Sequence, residues 1–174
     1  MRVFLSMSKR EKIVPLSLTI FVVFLDQITK EIVSRTLTYG RPIEIIGDFF
    51  RLVYVRNPAI AFSLGRNLEG PMRKALFIIL PIAVILFLVF FYLFSKELSP
   101  LQNWSLAAIL GGGISNVFDR VVRGDGVIDF FDFKFYNIFG LKRWPTFNVA
   151  DMTVVIAGTI LFISFIYSEV KEKK

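Results

Sequence analysis

The sequence contains neither cysteine nor histidine. Without cysteine, disulfides, thiolate metal sites and cysteine nucleophiles are excluded. Without histidine, a Ser-His-Asp triad and histidine-ligated zinc are excluded as well. An enzyme built from this chain must therefore work with aspartate, glutamate, lysine, hydroxyl, amide or backbone groups, and the aspartates are the obvious acid–base candidates.

The composition is strongly apolar. Of the 174 residues, 55% are hydrophobic and 20 are Phe, and the mean hydropathy is +0.62. This indicates a membrane protein, and the length suits one folding unit, residues 1–174. A net charge of +7 would also suit nucleic-acid binding, but the charges are scattered between apolar runs and no RNA-binding motif is present. We therefore expect contact with membrane lipid and no nucleic-acid partner.

Four apolar segments are long enough to cross a bilayer, which takes about 20 helical residues. The segment 75–94 carries no charge, and the segment 100–118 contains three consecutive glycines that would let a neighbouring helix approach closely. The segment 149–167 has an aspartate near its start. The segment 13–34 follows basic residues like a signal peptide, but no small-residue cleavage site comes after it. We predict an all-α membrane protein with four transmembrane helices.

Two longer segments, 35–72 and 119–148, connect these helices on one side of the membrane. The stretch IEIIGDFFRLVYVRN in the first is rich in β-branched and aromatic residues, which predicts a small β-sheet between helices 1 and 2. The second is dense in aromatic residues, which are typical of the membrane interface. Basic residues occur on both sides, so the positive-inside rule does not decide the orientation; we expect cytoplasmic termini and a monomer.

Charged residues within predicted transmembrane helices require an explanation, because placing a charged side chain inside a membrane costs free energy. In DQITK, Asp26 and Lys30 are four residues apart and share a helix face, so they can pair. The pair is either a structural ion pair near the helix end or part of a functional site. Asn57, which precedes Pro58, indicates first of all a turn.

Asp151 opens the fourth helix, and four further aspartates follow the third: Asp119, Asp125, Asp129 and Asp132. Because the end of the third helix and the start of the fourth lie on the same side of the membrane, Asp151 can meet one of these acids. Two close carboxylates share a proton, so one can activate water while the other polarises a carbonyl. Alternatively, Asp151 caps a helix and the others are solvated loop charges.

The four acids after the third helix are not equivalent. Asp119 precedes Arg120 and is expected to be salt-bridged, and Asp125 between two glycines is typical of a turn. Asp129 in VIDFF is flanked by apolar residues, which raise a carboxyl pKa and exclude water. We rank Asp129 first as the partner of Asp151 and Asp132 second.

The fragments DQITK, NPAIAFSLG, NVFDRVVRGDGVIDFFDF and FNVADMTVVIAG occur in this order along the chain. Together they resemble the lipoprotein signal peptidase (signal peptidase II) family. The resemblance implies a four-helix aspartyl protease of the bacterial inner membrane with cytoplasmic termini and an extracytoplasmic β-cradle after the first helix. A short outer helix or loop would precede the fourth helix.

The same resemblance implies removal of the signal peptide from a prolipoprotein, by cleavage before a cysteine that carries diacylglyceryl. It implies Asp129 and Asp151 as the catalytic pair and requires no metal or cofactor. The supporting polar residues that it implies are Asp26, Lys30, Asn57, Asn116, Arg120 and Asn148.

This chain departs from the usual family pattern in three places. Ala59 and Ser115 stand where the family usually has glycine, and the connection from Arg120 to Asp129 is one residue longer. None of these changes removes a catalytic acid.

Three other functions compete with this interpretation. A GxGD-type intramembrane protease lacks support because no G-x-G-D order occurs. A small transporter would use Asp26, Lys30 and Asp151 as a polar pathway, with acids distributed along the membrane depth. A Ser–Lys protease would need Lys30 to activate a hydroxyl such as that of Ser34.

Overall fold

The structure is a computed structural model that describes residues 12–58, 70–95, 97–124 and 126–172. Ala59 and Asp125, two positions singled out above, lie outside the described residues. Four long helices are present: α1 (Leu16–Thr36), α2 (Gly70–Phe94), α3 (Pro100–Phe118) and α4 (Val149–Glu172). They correspond to the four predicted segments, although α2 begins before residue 75 and α4 continues beyond residue 167.

Two of these helices contain a π-helical turn. One lies within α2 at Ala75–Ile79, and the other, Asp119–Arg123, continues α3 at its C-terminal end. Such turns are often found at functional sites because they change the face on which the following side chains lie.

Helix α3 is the centre of the bundle and packs against the other three helices. Its glycines lie where these helices approach: an added Cβ at Gly111 would lie 2.9 Å from the Thr19 carbonyl oxygen of α1. At Gly112 it would lie 2.6 Å from the Ala150 carbonyl oxygen of α4. The prediction of close helix approach at these glycines is confirmed.

Among the described residues, α2 and α4 are apolar and long enough to span a membrane: 18-residue windows within Gly70–Phe94 and Val149–Lys171 have mean hydropathies of 3.1 and 2.2. Helices α1 and α3 are less apolar because they carry polar residues such as Asp26, Lys30 and Asn116. These three side chains are buried inside the bundle, so they face protein and not the surroundings of the bundle.

The strands form one antiparallel four-stranded sheet in the order β1-β2-β3-β4. They are β1 (Ile43–Ile46), β2 (Phe50–Asn57), β3 (Val127–Ile138) and β4 (Leu141–Arg143). Only β1 and β2 come from the segment between α1 and α2. The segment before α4, expected to be a loop or short helix, instead forms β3 and β4. Its alternating apolar residues let β3 pair with β2, and β4 then pairs with β3.

The sheet is fixed to the bundle through a small apolar core. Val33 of α1, Tyr54 of β2, Ile128 and Phe130 of β3, and Val149 of α4 are buried together. This contact holds the beginning of β3 beside the beginning of α4, which positions the site described below.

We expect Gly112→Ala to destabilise the protein by about 1–3 kcal/mol, because the new methyl group would overlap the α4 backbone. The matched control is Gly158→Ala in α4, where an added Cβ would meet no atom within 4 Å. Thermal unfolding in detergent measures both. An unchanged melting temperature for Gly112→Ala would contradict the close α3–α4 packing.

Candidate active site

Asp129 and Asp151 both line a cavity of about 710 Å³ between α2, α3, α4 and the sheet. Asp129 is the third residue of β3, and Asp151 lies in the first turn of α4. The cavity walls are otherwise mainly apolar, and helix α2 contributes Leu80, Pro81, Val84, Ile85 and Leu88. The structure thus places both carboxyl groups of the predicted pair at one mainly apolar cavity.

Asn148 connects the two aspartates. Its side-chain oxygen accepts a hydrogen bond from the Asp151 backbone N–H (2.9 Å), and its own backbone N–H donates to Asp151 Oδ2 (3.3 Å). These two bonds form a reciprocal cap at the start of α4. The Asn148 amide nitrogen also donates to Asp129 Oδ1 (2.7 Å). One residue therefore fixes the helix that carries Asp151 and orients Asp129.

Two more asparagines donate to the remaining oxygens of the pair. The Asn57 amide at the end of β2 donates to Asp129 Oδ2 (2.9 Å), and the Asn116 amide of α3 donates to Asp151 Oδ1 (2.7 Å). Each carboxyl group is thus held by neutral amide donors. Such donors orient a carboxylate without adding the positive charge that would fix it permanently in the ionised form.

The pKa of Asp129 is raised from 3.8 to about 7, chiefly because the carboxyl group is buried and secondly because of the negative charge of Asp151. The hydrogen bonds from Asn57 and Asn148 and the charge of Lys30 act in the opposite direction. A carboxyl group with such a pKa exchanges its proton near neutral pH, as a general acid or base must.

Lys30 lies behind the cavity and is completely buried. Its ammonium group contacts Asp26 Oδ2 (2.6 Å), Asp119 Oδ2 (2.9 Å) and Asn116 Oδ1 (2.9 Å). All three of its N–H donors therefore have partners. Because Asn116 in turn donates to Asp151, the ammonium group determines how this amide faces the acid pair.

Asp26 and Asp119 are also fully buried and fully partnered. Asp26 accepts hydrogen bonds from the Ser115 hydroxyl (2.6 Å) and from the Ala150 backbone N–H of α4 (2.8 Å). Asp119 accepts from the Ile128 backbone N–H of β3 (3.1 Å) and from the guanidinium of Arg123 (3.1 Å). These bonds tie α1, α3, α4 and β3 together around Lys30.

The other predicted positions have distinct surroundings. Arg120 lines the cavity and donates to the Asn116 carbonyl oxygen (3.3 Å). Asp132 is held by Arg51 and Arg143 and does not line this cavity. Ser34 donates to the Glu31 carbonyl oxygen, and Lys30 is held by two carboxylates, so neither is arranged as a nucleophile and its base.

Sequence reasoning missed several members of the polar network around Lys30, namely Gln27, Ser115, Asp119 and Arg123. Asp119 was expected to be salt-bridged, and its ion-pair partners are Lys30 and Arg123. Gln27 donates to the Ser115 hydroxyl (2.9 Å) and to Asp119 Oδ1 (2.9 Å). The sequence offered one signal for Gln27. In DQITK it directly follows Asp26, so it is a second polar residue within an otherwise apolar helix.

A solved bacterial membrane enzyme superimposes on this chain with a TM-score of 0.75 and 30% identity, and the match covers 92% of each chain. The chain is therefore a membrane enzyme in class. The family described as Signal peptidase (SPase) II matches residues 18–167. This chain belongs to the signal peptidase II family and is accordingly a protease.

Named relatives agree with this assignment. A lipoprotein signal peptidase of Treponema denticola is 41% identical over 167 residues, which are 96% of this chain and 96% of the relative. A lipoprotein signal peptidase of Borreliella burgdorferi (strain ZS7) is 45% identical over 147 residues, which are 84% of this chain and 85% of the relative. The family resemblance stated from the sequence fragments is confirmed.

We expect Lys30→Met to destabilise the fold by about 3–5 kcal/mol, because it leaves Asp26 and Asp119 buried without a counter-charge. Arg35→Met is the matched control: Arg35 also pairs with an acid four residues earlier on α1, but its side chain is 77% exposed. That change should cost less than about 1 kcal/mol. Chemical unfolding in detergent measures both, and equal losses would contradict the role of the buried network.

Proposed function

We propose that this protein is an intramembrane aspartyl endopeptidase that removes the signal peptide from diacylglyceryl-modified prolipoproteins, cutting just before the lipidated cysteine. The observation that carries the proposal is the Asp129–Asp151 pair, which is held by three asparagines at the wall of an apolar cavity. Membership of the signal peptidase II family and the names of the relatives support the substrate class.

The pair supplies the acid and the base of peptide hydrolysis. The raised pKa of Asp129 favours one shared proton on the pair near neutral pH. The ionised carboxylate takes a proton from water, which attacks the scissile carbonyl carbon, and the protonated carboxyl donates to the carbonyl oxygen. The tetrahedral intermediate then collapses: the carboxyl group that took the proton from water gives it to the leaving nitrogen, and the other carboxylate takes a proton back from a hydroxyl of the intermediate. The amine and the new carboxyl terminus are released, and the pair again holds one proton. Arg120 and Asn57, which also line the cavity, are placed to bind the peptide backbone.

The cavity wall fits a substrate that is itself embedded in lipid. Its α2 side is formed by aliphatic side chains, which would contact the apolar signal helix and the acyl chains of the substrate. The polar groups are gathered around the dyad. This arrangement suits a substrate that enters sideways from the bilayer, and it contrasts with the acids spaced along the membrane depth that a transporter would require.

Membrane insertion through four helices is supported by the surface of the bundle. Each helix exposes large apolar side chains, among them Phe24 (63%), Phe87 (64%), Leu101 (54%) and Phe162 (66%). The charged side chains Asp26, Lys30 and Asp119 are completely buried instead. An apolar exterior around a polar interior is what a bilayer favours. We place the termini in the cytoplasm, the dyad near the extracytoplasmic face of the bacterial inner membrane, and the enzyme there as a monomer.

The test is cleavage of a purified diacylglyceryl-modified prolipoprotein in detergent. We expect Asp129→Asn and Asp151→Asn each to reduce the rate at least about 100-fold, because each removes an acid–base group, while thermal unfolding shows that both variants remain folded. Asp132→Asn, three residues further along the same strand, is the matched control and should retain activity.

Two results would count against the proposal. Normal cleavage by Asp129→Asn would exclude an aspartyl dyad that uses this residue. Equal rates on lipidated and unlipidated substrate would exclude recognition of the diacylglyceryl group.

A further inference from the structure

A second, smaller pocket lies on the sheet beside the dyad cavity, and we call it the aromatic pocket. Its volume is about 340 Å³. Five of the six described residues that line it are aromatic and the sixth is a lysine: Phe49, Phe133, Lys134, Phe135, Trp144 and Phe147. A mainly apolar pocket of this kind is suited to bind an apolar side chain or ligand group.

The aromatic pocket shares a wall with the dyad cavity. Trp144 and Phe147 line both spaces. The Phe147 ring packs against the rings of Phe131 and Phe133, with centroid distances of 5.4 Å and 5.9 Å. A molecule bound at the dyad can therefore extend over Phe147 into the aromatic pocket.

Strand β3 sets the direction and the distance from the dyad to the aromatic pocket. Side chains alternate between the two faces of a strand, so Asp129, Phe131 and Phe133 lie on the same face of β3. The four residues from Asp129 to Phe133 span about 13 Å of extended strand. A peptide that runs beside β3 from the dyad covers the same distance in four residues.

Backbone hydrogen bonds hold the walls of the pocket in place. The Trp144 N–H donates to the Phe133 carbonyl oxygen (2.9 Å), and the Phe147 N–H donates to the Phe131 carbonyl oxygen (3.2 Å). The rings of Phe135 and Trp144 lie 5.0 Å apart. The side chains of Phe133, Phe135, Trp144 and Phe147 are only partly buried, so the fold leaves apolar ring surface available to a ligand.

The lysine does not make this a site for an acidic ligand. Lys134 forms an ion pair with Asp48 (2.7 Å) and lies over the Tyr136 ring. An acidic ligand would have to compete with Asp48 for the ammonium group. An aromatic or branched aliphatic side chain would instead gain ring contacts.

The walls of the dyad cavity decide which part of a substrate reaches the aromatic pocket. Helices α2, α3 and α4 surround the cavity on one side, and the sheet borders it on the other. The apolar signal helix of the proposed substrate packs best among helices. The chain beyond the cleaved bond then leaves across the sheet, along the face that carries the aromatic pocket.

We propose that the aromatic pocket is a specificity subsite for the mature part of the prolipoprotein. It binds an aromatic or branched aliphatic side chain at the fourth or fifth residue after the cleaved bond. The inference rests on the proposed function, because the dyad fixes where the cleaved bond lies. Filling the pocket adds apolar contacts to the substrate in the transition state, which raises kcat/KM for such substrates.

The test uses diacylglyceryl-modified prolipoprotein peptides that carry Phe or Ala at one position between the second and the seventh residue after the cleaved bond. The full-length enzyme cleaves them in detergent. We expect Phe to raise kcat/KM about 10-fold over Ala at the fourth or fifth residue, and less than about 2-fold at the other positions.

Two variants of the pocket connect this preference to its walls. Phe135→Ala should reduce the preference to less than about 3-fold and leave kcat/KM for the Ala peptides unchanged, because only the pocket contacts are lost. Phe49→Ala, in the turn between β1 and β2, should have the same effect and makes the test independent of the folding of one variant. Phe139→Ala is the matched control, because this ring is 90% exposed and lines neither space. Thermal unfolding shows whether each variant remains folded.

Three results would overturn the subsite. The first is an equal rate for Phe and Ala at every position, and the second is a preference that both pocket variants leave unchanged. The third is a pocket variant that changes the dependence on acyl-chain length and not on the side chain, because lipid then occupies the pocket. If the wild type does not cleave the lipidated peptides, or Asp129→Asn cleaves them normally, the proposed function fails instead, and the two failures are thereby distinguished.

Discussion

The buried ammonium group of Lys30 is the interaction on which the rest of the structure depends. A lone charge inside a membrane bundle is expensive, and it becomes tolerable when its N–H donors are paired with charged and polar acceptors. Here the acceptors are two carboxylates, Asp26 and Asp119, and the Asn116 amide. Asp26 and Asn116 make further hydrogen bonds to α4, and Asp119 makes one to β3. The cost of burying one lysine is therefore offset only when the whole arrangement forms.

The arrangement also explains how a helical bundle positions an acid pair that is split between a strand and a helix. Asp119 binds the backbone N–H of Ile128, the residue before Asp129, and Asp26 binds that of Ala150, the residue before Asp151. The two carboxylates that neutralise Lys30 thus hold the backbone beside each member of the pair. Asn148 completes the connection by capping α4 and donating to Asp129. Charge pairing and the geometry of the proposed active site are consequences of the same bonds.

The helices and the acid pair were accessible from sequence because each has a local signal. Apolar length predicts the helices, and the apolar neighbours of Asp129 and the position of Asp151 at a helix start predict carboxyl groups at one membrane depth. The strands β3 and β4 were missed because the aromatic density of residues 127–143 was interpreted as interfacial. The alternation of apolar and polar residues in this segment produces a strand only when β2 is present to pair with it. Asp119 was not recognised as a network residue because its main partner, Lys30, is remote in sequence.

The central claim is that Asp129 and Asp151 form one acid–base unit with a shared proton, and infrared titration of the carboxyl C=O band tests it directly. Because the pKa of Asp129 is raised to about 7, a protonated buried carboxyl should be present at pH 6 and should be lost as the pH rises through about 7. The band should be absent in Asp129→Asn, and its midpoint should fall in Asp151→Asn, because the neighbouring negative charge is removed. A band that persists unchanged in both variants, or no protonated carboxyl at pH 6, would contradict the account.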